Sequence, residues 1–333
     1  MILPSPPFTH LRRLTDAGGV YEHAEGTSPR HEHGYCVDDV ARALVVVSRE
    51  AEQADLLDLY LSFVLGAQAQ DGRFTNRRAV DLSWSGRPTV EDCWGRALWG
   101  LGAVVSGKAD THQRELALEA FERGACWWSP WSRSMAFAAL GAAEVLEVLP
   151  DHRGARELLA AAAHKIGPPA DVADWPWPEA RLTYANAALP EVLLAAGAAL
   201  GDASLLENGL QLLGWLLEIQ TRDGHLSPVP VGGRGPADSS PGFDQQPIEV
   251  AALADGCARA YAVTGQARWL DGIELAAGWF FGSNDAGTSL YDVRSGGGCD
   301  GLERGGRNEN QGAESTLALM STLQHARLLR PTV

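Results

Sequence analysis

The sequence predicts an all-α fold built from many helices joined by structured loops. Hydrophobic residues make up 45% of the 333 residues and charged residues 21%, which is typical of a globular protein. Alanine and leucine are abundant, and the 37 glycines and 18 prolines cluster between the apolar segments rather than inside them. Because few segments alternate strictly between apolar and polar residues, a fold made mainly of β-strands has little support.

Six segments are long and almost wholly apolar, as buried helices are. They begin near Tyr35, Thr89, Ser132, Thr183, Gln246 and Asn310. The starts recur at intervals of about 55 residues, so that six periods fill nearly the whole chain. Small residues on these helices would let neighbouring backbones approach closely. They include Gly100, Gly102, Ala138, Ala139, Ala195 and Ala196.

Five further segments are amphipathic, and we expect them to lie outside the apolar set. They span 54–68, 111–126, 152–166, 204–220 and 268–282. Two of them end alike, at Asp71-Gly72 and Asp223-Gly224, where glycine can adopt the positive φ of a turn. An inner and an outer ring of helices that closes on itself is an (α/α)6 toroid. The prediction is one domain over 1–333, with six helical hairpins over 35–330 and a lead-in and lid segment at 1–34.

Each apolar helix is preceded by a cluster of polar and aromatic residues. Since all inner helices of such a toroid run in one direction, the six clusters should meet in one bowl at the N-terminal ends. Acids, amides and tryptophans around a concavity are typical of a sugar site. The predicted substrate-binding residues are Tyr35, Asp38, Asp92, Trp94, Arg96, Trp131, Trp175, Trp177, Tyr184, Asn186, Asp244, Gln245, Gln246, Asn310, Gln311 and Glu314. Helix capping explains any one of these polar residues equally well, so the prediction depends on six clusters in phase.

Four motifs resemble a known family. They are GYCVDDVARAL at 34–44, WPWPEARLTYANAALPEVLL at 175–194, DQQPIEVAA at 244–252, and CDGL with NENQGAEST at 299–316. The chain is similar to the six-hairpin glycosidase superfamily of (α/α)6 toroids, and resembles most a helical module often found beside or fused to glycosyltransferase domains. The resemblance covers roughly 35–319 and implies association with a glycosyltransferase. The chain itself lacks the βαβ alternation and phosphate-binding loop of a sugar-nucleotide glycosyltransferase.

Hydrolysis of a glycosidic bond needs one carboxylic acid to protonate the leaving oxygen and a second carboxylate as base or nucleophile. Glu179 follows the stiff Trp-Pro-Trp-Pro segment at 175–178, which would hold its carboxyl against apolar rings, as suits a general acid. We therefore expect Glu179 to be the acid, with Asp39 or Glu249 as the base of an inverting glycoside hydrolase.

The choice within adjacent acids stays open. Neighbouring side chains on a helix point about 100° apart, so only one member of each pair should face the bowl. The pairs are Asp38 with Asp39, and Glu91 with Asp92.

Charge and hydropathy argue against two classes of partner. The chain carries 27 Lys+Arg against 42 Asp+Glu, a formal net charge of −15, whereas nucleic acids and anionic membranes require clustered basic residues. No stretch approaches the roughly 18 consecutive apolar residues that a membrane span needs. The N-terminal sequence lacks the basic and apolar regions of a signal peptide, so a cytoplasmic location is expected.

Neither a cofactor nor a metal is expected. The five cysteines are odd in number and form no Cys-x-x-Cys pair, as suits buried free thiols. His31 and His33 lie two residues apart, and we expect them in a polar lid over the bowl rather than on a metal. A calcium site in the glycine-rich stretch 283–306 is an alternative.

Three other functions stay open on this fold. A sugar epimerase or isomerase usually recruits histidine bases from the inner helices, whose starts carry none here. A phosphorylase would replace the water-activating carboxylate by a basic anion pocket. A non-catalytic sugar-binding partner of a glycosyltransferase would lack two opposed carboxylates.

Overall fold

The computed structural model describes residues 3–238 and 240–329, and over these ranges it contains twelve α-helices. They are α1 (Thr9–Arg13), α2 (Val37–Ser48), α3 (Ala54–Ala67), α4 (Asp92–Ser106), α5 (Thr111–Gly124), α6 (Ser132–Val148), α7 (Arg153–Ile166), α8 (Ala188–Leu200), α9 (Ala203–Ile219), α10 (Pro247–Thr264), α11 (Arg268–Phe280) and α12 (Ala313–His325).

The even-numbered helices form a closed inner ring. Each packs against the next even-numbered helix, and α12 packs on α2 to complete the circle. Helices α3, α5, α7, α9 and α11 lie outside, each beside the inner helix that precedes it. The sixth outer position is taken by the short α1, which packs on α12. The all-α (α/α)6 toroid predicted from the sequence is confirmed.

Close contact between α4 and α6 depends on glycine. A Cβ placed on Gly141 would lie 2.1 Å from the carbonyl oxygen of Leu98, and one on Gly102 would lie 2.2 Å from that of Gly141. No other residue fits at such distances, because real Cβ atoms do not approach backbone oxygens so closely. Gly102 therefore allows the close approach of helix backbones that the sequence predicted.

Short antiparallel strands decorate the loops between the helices. Four two-stranded hairpins pair Thr15–Asp16 with Gly19–Val20, Ala24–Glu25 with Ser28–Pro29, Thr221–Arg222 with His225–Leu226, and Gly301–Glu303 with Gly306–Asn308. A three-stranded sheet joins Tyr35–Cys36, Arg77–Arg78 and Trp84–Ser85. These strands shape the end of the barrel where the inner helices begin.

The opposite end of the barrel is tied together by ion pairs. Arg259 on α10 contacts Glu147 at 2.8 Å and Glu144 at 3.2 Å, both on α6. Asp255 on α10 contacts His325 on α12 at 2.5 Å. These contacts join α10 to its neighbour α12 and to α6, which lies two positions away in the ring.

Among the described residues, no helix combines the length and apolarity that a bilayer crossing requires. All five cysteines are free, and all except Cys126 are buried.

Candidate active site

A pocket of about 490 Å³ lies at the N-terminal ends of the inner helices. Four of those helices contribute, together with the lead-in segment and two loops. The pocket is lined by Glu22, His23, Cys36, Asp38, Asp39, Arg42, Asp92, Arg96, Tyr184, Gln246, Ile248, Asp300, Gly312, Glu314 and Ser315. Its size falls in the range of small-molecule sites in enzymes.

A cleft of about 540 Å³ adjoins this pocket. The two cavities share three residues: Asp38, Asp92 and Tyr184. The cleft is lined in addition by Asn76, Glu91, Cys93, Pro130, Trp131, Ser132, Arg133, Glu179 and Thr183. We call the pocket and the cleft together the bowl.

Asp39, in the first turn of α2, is the most deeply buried acid of the pocket. Its carboxylate accepts a hydrogen bond from Arg42 at 2.5 Å and from the Cys36 thiol at 3.2 Å. Burial raises the pKa of Asp39 to about 7, although the Arg42 guanidinium acts in the opposite direction. The side chain can therefore carry or accept a proton near neutral pH.

Both members of the adjacent pair on α2 line the pocket, although helix geometry predicted only one. The reason is that the pocket wraps around the start of the helix, where the chain leaves the strand at Tyr35–Cys36. Asp38 Oδ2 accepts from Asn76 at 2.8 Å. Its Oδ1 lies 3.4 Å from Arg96 Nε, and both of these buried atoms lack a hydrogen-bond partner. The guanidinium of Arg96 is stacked 4.0 Å from the ring centre of Phe137.

Two further carboxylates are fixed by neighbouring helices. Asp92, at the start of α4, accepts from Ser134 at 2.7 Å and from the Tyr184 hydroxyl. Glu314, at the start of α12, accepts from Arg42 at 2.5 Å. Arg42 thus bridges the first turns of α2 and α12.

Glu179 lies in the cleft rather than in the pocket. Its Oε1 accepts from Arg133 at 2.9 Å, and its buried Oε2 has no partner. The tryptophans that precede it do not surround the carboxyl as predicted. Trp175 and Trp177 instead pack on Trp215 of the outer helix α9.

Glu249 does not line the bowl. It is 5% exposed and accepts hydrogen bonds from the backbone N–H groups of Ala185 and Asn186 and from the Asn186 side chain at 2.8 Å. Burial raises the pKa of Glu249 to about 7. The carboxyl holds the turn before α8, where Ala185 has a φ of 45°. That turn also explains why α8 begins at Ala188, five residues after the predicted start.

Of the predicted substrate-binding residues, seven line the pocket or the cleft. They are Asp38, Asp92, Arg96, Trp131, Tyr184, Gln246 and Glu314. Asp39 and Glu179, from the predicted catalytic set, line the bowl as well. Trp131 is 60% exposed, as an accessible stacking surface should be.

The other predicted residues build the walls behind the bowl. Tyr35, Trp94 and Trp177 are at most 1% exposed, and Trp94 donates to the carbonyl of Gly124. Tyr35 donates to Asp16 at 2.8 Å. The remaining six predicted residues make hydrogen bonds between loops or lie outside the cavity lining. They are Trp175, Asn186, Asp244, Gln245, Asn310 and Gln311.

Several bowl residues were absent from the predicted set. The lead-in segment contributes Glu22 and His23, and His23 Nδ1 lies 3.0 Å from His33 Nδ1. The loop after α11 contributes Asp300, whose carboxylate accepts from the N–H of Gly312 at 2.8 Å. Neither segment belongs to the helical repeat, so periodicity gave no signal for them. His33, which the sequence suggested for a lid over the bowl, contacts this pocket residue and does not itself line the pocket.

One cluster has the composition of a metal site. Glu22, Cys36 and Asp39 each offer a ligand atom, all within 4.8 Å of one another. Arg77 and Arg42 donate to the two carboxylates, however, and burial raises the pKa of the Cys36 thiol well above its usual value. Guanidinium groups beside a protonated thiol favour neutral polar ligands over a cation.

Comparisons with known proteins support the architecture. No protein-family profile matches the chain, and no curated protein matches it significantly. A sugar epimerase from a ruminal bacterium has a TM-score of 0.68 at 14% identity, with 96% of this chain and 95% of that one covered. D-mannose isomerase has a TM-score of 0.68 at 9% identity, with 97% and 95% covered. A GH76 α-mannanase from Bacteroides thetaiotaomicron has a TM-score of 0.63 at 14% identity, with 97% and 94% covered. The chain therefore shares the fold of these proteins, an all-α (α/α)6 toroid.

Proposed function

We propose that the protein is a carbohydrate-active enzyme that hydrolyses a glycosidic bond in the bowl. The observation that carries this proposal is the buried Asp39 carboxyl, whose pKa of about 7 suits a proton donor, in a pocket lined by further acids. The named activities of proteins that share the fold agree with a saccharide as substrate.

Asp39 is the proposed general acid and Asp92 the proposed base. Asp39 transfers its proton to the glycosidic oxygen as the bond from that oxygen to the anomeric carbon breaks. A water molecule forms the new bond to the anomeric carbon and gives its proton to Asp92. Hydrogen bonds from Ser134 and Tyr184 hold the Asp92 carboxylate in place. This direct displacement inverts the anomeric configuration.

Carboxylates in the bowl support a hydroxylated substrate. Asp38 lines both cavities and its side chain is 20% exposed, so its carboxylate can accept a hydrogen bond from a sugar hydroxyl. Glu179, whose side chain is 32% exposed, offers a second acceptor in the cleft.

The other two predicted catalytic residues receive different roles in this proposal. Glu179 binds substrate in the cleft and is the alternative acid. Glu249 is a positioning residue, since it contacts the turn before α8 and not the bowl.

A sugar epimerase is the second candidate function. The observation that favours it is His23 in the pocket lining, with its Nδ1 3.0 Å from that of His33. An imidazole could remove and return a proton at a sugar carbon near neutral pH.

A single screen separates these functions. We expect oligosaccharides and aryl glycosides to release reducing sugar in water, at a rate that added phosphate does not change. Phosphate-dependent release of a sugar phosphate would indicate a phosphorylase, whereas deuterium uptake from D2O without bond cleavage would indicate an epimerase. Binding without any turnover would reject the enzyme proposal and favour a sugar-binding partner of a glycosyltransferase in the cytoplasm.

A further inference from the structure

We propose that the enzyme removes one sugar unit at a time from a chain end, with the terminal unit in the pocket and the following units in the cleft. This inference rests on the proposed function and adds the class of substrate, an oligosaccharide with a free end. Three features of the bowl support it.

The first feature is a backbone wall on one side of the pocket. The lead-in segment 22–26 is bonded to segment 310–313 by Gln311 N–H to Gly26 at 2.9 Å and Ala313 N–H to Glu22 at 3.1 Å. The Asn310 side chain accepts from Gly26 N–H at 3.0 Å. A saccharide chain leaving the pocket on this side would have to break several main-chain hydrogen bonds.

The second feature is the shared lining of pocket and cleft. Both cavities are lined by Asp38, Asp92 and Tyr184, and the Tyr184 hydroxyl donates to Asp92. Tyr184 is 37% exposed. Because pocket and cleft meet at these three side chains, the saccharide chain should leave the pocket towards the cleft.

The third feature is the chemistry of the cleft. Trp131, at the N-cap of α6, lines the cleft and is 60% exposed. An exposed indole provides a stacking surface for a pyranose ring. Glu179 and Arg133 lie in the same cleft and supply polar groups for its hydroxyls. The cleft, at about 540 Å³, can therefore hold the units that follow the terminal one.

The boundary is also where bond cleavage is expected. Asp92, the proposed base, belongs to both cavities, and Asp39, the proposed acid, belongs to the pocket. Cleavage of the glycosidic bond at this boundary leaves one sugar unit in the pocket, and this unit is the released product.

The product profile tests this inference. Early in the reaction with reduced oligosaccharides of two to six units, we expect a monosaccharide and a chain shortened by one unit. Initial release of internal fragments of mixed length would overturn the chain-end inference and leave the proposed function intact. Release of nothing from any saccharide would overturn both.

Two tryptophans of one loop give a matched pair of variants. Trp131→Ala should lower kcat/KM on chains of two or more units about tenfold, as expected for loss of one stacking contact. Trp128 is 64% exposed but lines neither cavity, so Trp128→Ala should behave as wild type on every substrate. Equal effects of the two variants would reject the cleft as the site of the following units.

Discussion

Asp39→Asn is expected to lower turnover of natural glycosides by about 10²–10⁴, the usual contribution of general acid catalysis. Asparagine has nearly the same shape but no proton to donate at neutral pH. Aryl glycosides with very good leaving groups need no protonation, so their hydrolysis should fall much less. Steady-state kinetics on both substrate types measure this difference.

The pH dependence gives a second readout for Asp39. Because the pKa of its carboxyl is raised to about 7, the acid form is present below that pH and is lost above it. Wild-type kcat should therefore fall on the alkaline side with an apparent pKa near 7. This limb should be missing in Asp39→Asn.

A structural role for Asp39 predicts another pattern. Its loss would leave Arg42 with Glu314 as its remaining carboxylate partner, which would lower thermal stability and reduce all activities in proportion. Glu179→Gln is the matched comparison, since it changes a bowl carboxylate that is 32% exposed. If that variant alone spares the activated substrates, the acid role belongs to Glu179.

Glu249→Ala is expected to destabilise the protein by roughly 3–5 kcal/mol near pH 5, because three buried N–H donors lose their acceptor. The exposed Glu274→Ala on α11 is the control and should change stability by less than about 0.5 kcal/mol. Chemical denaturation of the three proteins measures both effects.

The cost of losing Glu249 should depend on pH. A carboxyl whose pKa is raised from 4.5 to about 7 in the folded state binds its proton more tightly there than in the unfolded state. Its contribution to stability is therefore present at low pH and is lost as pH rises through 7. The difference between wild type and Glu249→Ala should shrink by up to roughly 3 kcal/mol between pH 5 and pH 8. A constant difference would contradict the raised pKa.

Helices were predictable because their signals are local. The amphipathic segment predicted at 54–68 is α3 at Ala54–Ala67, and that at 111–126 is α5 at Thr111–Gly124. Apolar periodicity and Asp-Gly turns determine such elements within a few neighbouring residues. The recurrence of the pattern then determined the number of hairpins and the direction of the inner helices.

Side-chain direction at the bowl was not predictable to the same degree. Gln246 and Ile248 line the pocket, whereas Glu249 points to the turn before α8. Consecutive residues of a helix point about 100° apart. A helix start read from sequence is uncertain by about one or two residues, so the sequence does not determine which side chains face the bowl.

Long-range packing decided the roles of the tryptophans. Trp175 and Trp177 lie in a loop that leads to the bowl, yet they pack on Trp215, about forty residues away along the chain. Trp131 follows a similar loop and faces the cleft. Nothing local distinguishes the two cases, because the partner belongs to another hairpin.

A crystal structure of Asp39→Asn with a bound oligosaccharide tests the proposed site most directly. We expect one sugar ring in the pocket, with a hydroxyl on the Asp38 carboxylate, and the next ring in the cleft near Trp131. Its glycosidic oxygen should lie within hydrogen-bond distance of residue 39. A saccharide bound elsewhere on the barrel, with the bowl free of sugar, would show that the bowl is not the substrate site.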